Sequence, residues 1–296
     1  VNGADFPSVV ALDGGGYAAQ WIESRGEARD VRVSTSADGR AWSASAVLHA
    51  DRSDSEHGFA TLVPGPVGRF TALWLDGAAQ SKGGPQALRA AEWDGRAFGP
   101  EASIDARVCD CCSTAAAMTS GGLLVAYRDR SEGEVRDISL ARLSGGAWGA
   151  SKSVTNDGWV IKGCPVNGPA LAARGKRVVL AWYTAAGDKP AVKAAVSTDG
   201  GSSFGPPARL DEGHPSGRVD VVLLDDGAVV QWLENGETPR LLARRLSADG
   251  KPGPVIVVAE VGGRAAGSPR LAVWGGRVLS AWTGEKGVRL SALDLN

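Results

Sequence analysis

The chain has 296 residues with nearly balanced charge, 32 basic against 33 acidic side chains. Because no long run of one sign occurs, the composition excludes a basic nucleic-acid groove and a polybasic membrane patch. The longest apolar runs, such as residues 178–182, have strand length and are too short to span a bilayer. The 41 glycines fall between short apolar runs, which is typical of an all-β chain with many tight turns.

The first residue and the cysteine count both bear on where the protein works. The chain begins at Val1 without a methionine, which indicates a processed or trimmed form, so that any signal peptide would be absent from this sequence. Its four cysteines are an even number, as is usual in exported proteins. We therefore expect a periplasmic or secreted protein, and we expect it to be a monomer.

A repeat of about fifty residues runs through the whole sequence. Each copy has an apolar run, a glycine-bearing turn and a second apolar run that carries an aromatic residue. These aromatic residues lie 53, 53, 55, 50 and 50 positions apart, and they are Trp21, Trp74, Tyr127, Trp182, Trp232 and Trp282. A third strand and, except in the last repeat, a fourth strand follow. The repeats predict one all-β domain over residues 1–296, a six-bladed β-propeller with mostly four-stranded antiparallel blades and almost no helix.

The turn after the third strand carries a recurring motif. Residues 197–204 read Ser-Thr-Asp-Gly-Gly-Ser-Ser-Phe, which matches the Asp-box pattern Ser-x-Asp-x-Gly-x-x-aromatic. Residues 36–42 repeat the pattern one residue short, and decayed copies stand at 93–98, 144–148 and 247–250. The chain therefore resembles the sialidase superfamily of six-bladed propellers over all six repeats. The resemblance implies that these boxes are structural turns on the outer rim, and that the repeated aromatic residues pack between blades.

The loops that lead into the inner strands, which we call the axial loops, should meet near the central axis of a propeller. These loops lie 15–18 positions before each aromatic marker. They contain every cysteine and two of the three histidines, namely Cys109, Cys111, Cys112, Cys164, His57 and His214. Thiolates and imidazoles gathered at one point predict a transition-metal site made from these six candidate ligands.

The ligand types favour copper over zinc as the cofactor. The segment from Cys109 to Cys112 holds three cysteines and is too compact for the usual zinc knuckle. Copper accepts the sulfur-rich coordination that Cys164 and one histidine would complete. We therefore expect copper handling or copper redox chemistry, with zinc as the alternative metal. The expected partners are the metal ion and a copper donor or acceptor protein. We expect no binding to nucleic acid and no membrane-spanning segment.

Two disulfides are the simpler alternative, and they would leave the protein without a cofactor. Cys109 or Cys112 could bridge to Cys164 across neighbouring blades, or Cys111 and Cys112 could form a vicinal bond. This alternative does not explain why two histidines share the axial loops with the cysteines. In a non-catalytic propeller that binds a glycan or a protein through its channel face, the cysteines would serve only as stabilising disulfides.

The resemblance also implies a glycosidase, with three arginines that grip a carboxylate, a tyrosine nucleophile and an acidic residue. The place of the first arginine reads Asp5-Phe6-Pro7-Ser8, and no tyrosine falls in an axial loop. Asp5, Arg218 and Arg264, with Arg270, remain as candidates for substrate binding, while catalytic residues stay unassigned. If the protein is an enzyme, a copper-dependent oxidoreductase is favoured over a sialidase-type hydrolase.

Overall fold

The computed structural model describes residues 6–295. These residues form six antiparallel sheets arranged as the blades of a six-bladed β-propeller, which confirms the predicted fold class. Four blades have four strands, the third has five because β12 and β13 share its outer position, and the sixth has three. Asp5, proposed for substrate binding, lies outside the described residues.

In the first three blades the strands follow one another in space as they do in the chain. Their bounds are β1 (Ser8–Ala11), β2 (Tyr17–Arg25), β3 (Ala28–Ser36), β4 (Ala46–Val47), β5 (His57–Pro64), β6 (Phe70–Asp76), β7 (Ala87–Trp93), β8 (Ala102–Asp105), β9 (Ala115–Thr119), β10 (Gly122–Arg128), β11 (Ile138–Ser144), β12 (Ala147–Trp148) and β13 (Lys152–Ser153).

The last three blades repeat this order, with the strand of lowest number innermost. Their bounds are β14 (Ala170–Arg174), β15 (Arg177–Thr184), β16 (Ala191–Ser197), β17 (Ala208–Arg209), β18 (Pro215–Leu224), β19 (Gly227–Glu234), β20 (Arg240–Ser247), β21 (Pro252–Glu260), β22 (Arg270–Trp274), β23 (Arg277–Gly284) and β24 (Gly287–Ala292).

Within residues 6–295, helix is confined to three short 3₁₀ turns, in agreement with the prediction of almost no helix. They are η1 (Gln80–Lys82), η2 (Ala186–Asp188) and η3 (Gly263–Ala266). Between residues 6 and 295, no helix has the length and apolarity needed to cross a membrane.

The second strand of each blade carries the aromatic marker, and the core lies between successive sheets. In the middle blades this strand is covered on both faces, so it reads as a nearly continuous apolar run. All eight residues of β19 are buried, including Trp232. Trp74, Tyr127, Trp182 and Trp232 are fully buried. Four of the six markers are therefore buried as the packing-layer prediction requires, whereas Trp21 and Trp282 are only partly buried.

Carboxylates accept hydrogen bonds from the polar groups of these markers. Trp74 Nε1 donates to Asp76 Oδ2 at 3.2 Å, and Trp232 Nε1 donates to Glu234 Oε2 at 2.6 Å. The Tyr127 hydroxyl donates to Asp105 at 2.6 Å, and burial raises its pKa. Tyr127 is therefore held as a neutral packing residue rather than as a nucleophile.

The turns after the third strands share one hydrogen-bond pattern. Asp199 Oδ1 accepts from the amide nitrogens of Ser202 and Ser203 at 3.0 and 2.9 Å. Asp38 Oδ1 accepts from Arg40 and Ala41 in the same way, at 2.8 and 2.9 Å. The pKa of Asp199 is lowered first by a hydrogen bond from the Ser203 hydroxyl and then by the amide bonds, and the pKa of Asp38 is lowered by its amide bonds, because each bond favours the charged carboxylate. The turns thus fix the outer edges of the blades.

His57 packs with His49 between blades 1 and 2 instead of joining the cysteines. The ring of His57 stacks on that of His49 with their centroids 3.7 Å apart. Its Nε2 lies 3.1 Å from Asp51 Oδ2, and its Nδ1 lies 3.3 Å from Asp76 Oδ2. Since both ring nitrogens face carboxylates, the prediction that His57 shares a metal with the cysteines is wrong.

His49 is the more sensitive member of this pair. Its side chain is fully buried. Its Nδ1 lies 2.9 Å from the Asp51 carbonyl oxygen, and its Nε2 lies 3.4 Å from the Val31 amide nitrogen and 3.6 Å from Asp30. Burial of the ring, and then the charge on the neighbouring His57, lower the pKa of His49 from 6.5 to about 4. The folded protein therefore holds His49 neutral, while the unfolded chain would protonate it below its ordinary pKa.

We predict that the free energy of unfolding decreases as the pH is lowered from about 6.5 to about 4, because in this window the unfolded state binds more protons at His49 than the folded state does. A shift of this size corresponds to about 3 kcal/mol of unfolding free energy. Urea unfolding at pH 7 and at pH 4.5 should show a smaller loss in His49→Gln than in the parent. Asp30, Asp51, Arg52, His57 and Asp76 are present in both proteins, so the two proteins differ only in the His49 imidazole and in its interactions with these neighbours.

Proton NMR of the His49 ring provides an independent check. A His49 ring that titrates near its ordinary value of 6.5 would contradict the prediction, and so would equal pH dependence of the two proteins.

Candidate functional site

The structure brings all four cysteines together on the axial loops of blades 3 and 4. Cys109, Cys111 and Cys112 lie just before β9, and Cys164 lies before β14. The sulfurs are paired as Cys109–Cys112 and Cys111–Cys164, with Cα atoms 5.7 and 6.1 Å apart. The predicted convergence of the cysteines is therefore correct. The specific pairings foreseen in the disulfide alternative are wrong, because Cys111 is the partner of Cys164.

The two disulfides differ in their access to solvent. Cys109 and Cys112 are 1% and 2% exposed. Cys111 is half-buried and Cys164 is exposed. The sulfurs of Cys109, Cys111 and Cys112 nevertheless lie within 4.8 Å of one another. The cluster therefore places a buried disulfide, Cys109–Cys112, next to a disulfide that reaches the surface, Cys111–Cys164.

Two arginines from blade 3 surround the first disulfide. Arg136 Nη1 donates to Cys109 Sγ at 3.3 Å, and its Nη2 donates to Glu134 Oε2 at 2.8 Å. Arg130 forms two bonds of 2.9 Å to Asp110 and a further bond of 2.8 Å to Glu134. Hydrogen bonds from Arg130 and then Arg136 lower the pKa of Glu134 to about 2. The Cys109 sulfur therefore sits beside a positive charge that would favour its thiolate form.

A third arginine, Arg128, holds the two axial loops together from beneath. Its guanidinium is buried and donates to the carbonyl oxygens of Asn167, Arg136 and Tyr183 at 2.6–2.7 Å. Its own carbonyl oxygen accepts from the Cys109 amide at 3.0 Å. It also packs 4.8 Å from the centre of the Trp159 ring. Burial lowers the pKa of Arg128 to about 9, so it remains charged at neutral pH.

His214 does not join the cluster. It is exposed before β18, and its amide nitrogen donates to Glu234 at 2.6 Å. Within residues 6–295, the only group of three or more His, Cys, Asp or Glu side chains placed to share a metal ion is Cys109, Cys111 and Cys112. The prediction of a mixed cysteine and histidine site is therefore wrong for both histidines, whereas its cysteine members do come together.

Arg218 reaches the channel mouth from β18. Its guanidinium lies 5.8 Å from the centre of the Phe6 ring, and Nη1 donates to Ser268 at 3.1 Å. Burial, and then the charge of Arg264, lower the pKa of Arg218 to about 10. Its Nε is buried without a hydrogen-bond partner. In the described part of the chain, no carboxylate lies within ion-pair distance of Arg218.

Arg264 and Arg270 have different surroundings. Arg264, in η3, is exposed, and its Nη2 donates to the Pro165 carbonyl at 3.3 Å. Like Arg218, it has no carboxylate within ion-pair distance among residues 6–295. Arg270 lies 3.6 Å from Asp220 and forms an ion pair there. Arg218 and Arg264 thus form the basic part of the channel mouth, and Arg270 is neutralised by its partner.

A cleft of about 760 Å³ opens beside the cysteine cluster, between the axial loops of blades 4 to 6. Its walls include Trp159, Ile161, Pro165, Asn167, Tyr183 and Arg264. The rings of Trp159 and Tyr183 meet edge to face with their centroids 5.5 Å apart. Aromatic surface combined with amide and guanidinium groups is typical of sites that bind small polar ligands.

Backbone strain is concentrated on the same face. Phe6, Phe59, Val166 and Arg218 have φ values of 37–56° although none is glycine. Phe6 and Val166 precede the inner strands β1 and β14, and Phe59 and Arg218 lie in the first part of β5 and β18. A left-handed backbone at such residues costs roughly 1–3 kcal/mol and often marks a functional site. At Arg218 it accompanies a break in the register of β18 against β19 between Gly217 and Asp220.

Sequence analysis missed Arg128, Arg130, Arg136 and Trp159, which support the cluster. All except Trp159 come from the segment after the aromatic marker Tyr127, with Arg128 at the end of β10 and the others in the loop that follows. That segment reads Arg-Asp-Arg-Ser-Glu-Gly-Glu-Val-Arg from residue 128, and its alternating charges were the available signal for an ion network.

Neither a protein-family model nor a curated protein sequence matches the chain. Solved structures match it at low identity. A Dyadobacter fermentans protein of unknown function is 17% identical with a TM-score of 0.60, and the match covers 99% of this chain and 94% of that one. Penicillium chrysogenum α-L-arabinanase is 14% identical with a TM-score of 0.61, covering 98% and 92%. Trypanosoma rangeli sialidase is 14% identical with a TM-score of 0.58, covering 98% of this chain and 54% of the sialidase. The chain therefore has the fold of the sialidase-like six-bladed β-propellers.

Proposed function

We propose that the reduced protein binds one Cu(I) ion through the cysteine cluster and handles copper in an exported compartment. The observation that carries the proposal is the meeting of all four cysteines at one point on the channel face. Three of their sulfurs lie within 4.8 Å of one another. Two disulfides alone would require each cysteine to lie close only to its own partner, and would not require three sulfurs to lie close together.

The spacing of the sulfurs suits a shared ion. Zinc–thiolate bonds are about 2.3 Å long, so two sulfurs on opposite sides of one ion of similar size lie at most about 4.6 Å apart. The separations among Cys109, Cys111 and Cys112 fall within about this range, and small side-chain movements after reduction would close them. Cys164, now bonded to Cys111, is the fourth available thiol.

Charge and ligand chemistry favour Cu(I) over Zn(II). Three thiolates around a monovalent ion leave negative charge that needs compensation, and Arg136 and Arg130 stand beside the cluster. No histidine is available to complete the mixed ligand set that many zinc sites use. Soft thiolates alone select Cu(I) well. Since Cys111 and Cys164 reach the surface, we propose that a copper donor or acceptor protein exchanges the ion at this edge.

We predict that the fully reduced protein, kept without oxygen, withholds one Cu(I) per chain from a chromophoric Cu(I) chelator. Cys111→Ser should weaken the affinity by about 100-fold or more, because even residues that only support metal ligands change affinity by about 10- to 100-fold when mutated. His214→Ala is the matched control, and it should bind as the parent does because the ring is exposed and apart from the cluster.

A reduced protein that titrates four thiols yet leaves all Cu(I) with the chelator would end this proposal. Equal affinity in Cys111→Ser would also end it. Tighter retention of Zn(II) than of Cu(I), measured against zinc and copper indicators in parallel, would replace copper with zinc.

A second candidate function, binding of an acidic sugar in the cleft, rests on an arginine of the cleft wall that has no carboxylate partner. Arg264 lines the cleft and has no carboxylate within ion-pair distance among the described residues, and Trp159 and Tyr183 belong to the same wall. Arg218, which also lacks a carboxylate partner, lies outside the cleft lining. A guanidinium without a carboxylate partner in the protein is suited to bind a ligand carboxylate. The arabinanase structure was solved with arabinobiose, so a protein of this fold holds a saccharide.

For this candidate we predict measurable binding of a uronic or sialic acid and none of the corresponding neutral sugar. Arg264→Ala should weaken binding by about tenfold or more, the usual loss when a charge-assisted hydrogen bond is removed. Titration calorimetry provides the measurement. Arg277→Ala, which removes an exposed arginine from β23 outside the cleft lining, is the control. Equal binding of acidic and neutral sugars would contradict the role of Arg264.

A further inference from the structure

We propose that the four cysteines form an intramolecular thiol–disulfide relay. In this relay Cys111–Cys164 exchanges with an external dithiol, and Cys111 then passes the change inward to Cys109–Cys112. The inference goes beyond copper binding and requires no metal. It rests on three observations: the difference in exposure of the two disulfides, the closeness of three of their sulfurs, and the position of Arg136.

Access decides where an external dithiol reacts first. Attack on a disulfide requires the nucleophilic sulfur to approach one of the bonded sulfurs. Cys164 is exposed, whereas Cys109 and Cys112 are almost completely buried. A dithiol therefore reaches Cys111–Cys164 directly and reaches the inner bond only through the protein.

The first step moves two electrons into the protein. One thiolate of the dithiol attacks Cys164, the bond between Cys164 and Cys111 breaks, and the electron pair leaves on Cys111 as a thiolate. The second thiol of the donor then attacks the mixed disulfide and releases Cys164. The dithiol is oxidised to its disulfide, and after protonation the protein holds two thiols in place of one disulfide.

The second step moves the disulfide without any net change in oxidation state. The Cys111 thiolate lies within 4.8 Å of the sulfurs of both Cys109 and Cys112. Its attack on Cys112 forms a Cys111–Cys112 bond, breaks the Cys109–Cys112 bond and places the electron pair on Cys109. The sulfur of Cys109 accepts a hydrogen bond from Arg136 at 3.3 Å. A guanidinium at this position stabilises the leaving thiolate, and better leaving groups speed exchange.

Replacing Cys164 with serine tests the second step alone, because this variant presents one free thiol beside an intact Cys109–Cys112 bond. The purified variant is held with a chelator to exclude metal, quenched in acid, and labelled with N-ethylmaleimide under denaturing conditions. Mass spectrometry of its peptides then locates the label. We expect most of the label on Cys109 instead of Cys111.

Cys111→Ser is the matched control. It leaves the free thiol on Cys164, which lies outside the group of three neighbouring sulfurs, so the label should stay there. Arg136→Gln in the Cys164→Ser background should move the label back towards Cys111. The expected change is about tenfold, corresponding to about one pKa unit of lost thiolate stabilisation.

Label found on Cys111 alone in Cys164→Ser would overturn the relay. If that variant fails to fold, the parent protein treated with limiting dithiothreitol gives the same information, since a relay predicts label on Cys109 together with Cys164. A parallel arm with a reduced thioredoxin-type protein distinguishes a protein dithiol from a small-molecule donor. Because no metal is present, failure here leaves the copper proposal intact, and failure of the Cu(I) titration leaves the relay intact.

Discussion

The buried guanidinium of Arg128 is the interaction on which the rest of the channel face depends. A cation removed from water must find several acceptors, and Arg128 finds three carbonyl oxygens on two blades. One of them belongs to Asn167 on the loop that carries Cys164, and another belongs to Arg136, whose side chain reaches Cys109. The cysteines of blades 3 and 4 therefore meet because the same buried charge fixes both backbones. Replacing Arg128 with a neutral residue would leave three carbonyl oxygens without this donor, and the two loops would no longer be held by one shared side chain.

The repeat pattern was enough to predict the blades and the meeting of the cysteines, because both follow from topology. An apolar strand that recurs every fifty residues can bury both faces only between neighbouring sheets, and ring closure then brings the axial loops together. The same argument could not decide what a side chain faces. His57 and His214 occupy the predicted loops, yet one turns into the interface between blades 1 and 2 and the other turns to solvent. Position along the chain locates a loop, whereas the direction of a side chain depends on the partners that bury it.

The charged residues around the cysteine cluster could not be predicted from positions in the repeat, for a related reason. Arg130, Glu134 and Arg136 belong to the loop between the second and third strands of blade 3, and only the folded blade places that loop against the axial loop. Each charged side chain in this network is paired with its neighbour, and any single exposed pair contributes little to the free energy of unfolding. Its value lies in position, because it holds Asp110 and keeps a guanidinium at the Cys109 sulfur.

The cysteine cluster and the cleft also share one segment of backbone. The loop from Gly158 to Asn167 carries Cys164 and supplies Trp159, Ile161 and Pro165 to the cleft wall. The Cys111–Cys164 bond ties this loop to blade 3, while Arg128 holds its end at Asn167. A change in the redox state of the cluster therefore alters a restraint on the wall of the cleft, whichever ligand the cleft receives. For this reason the proposed copper binding, disulfide exchange and sugar binding should each be measured at a defined thiol state, since the same loop would take part in all three.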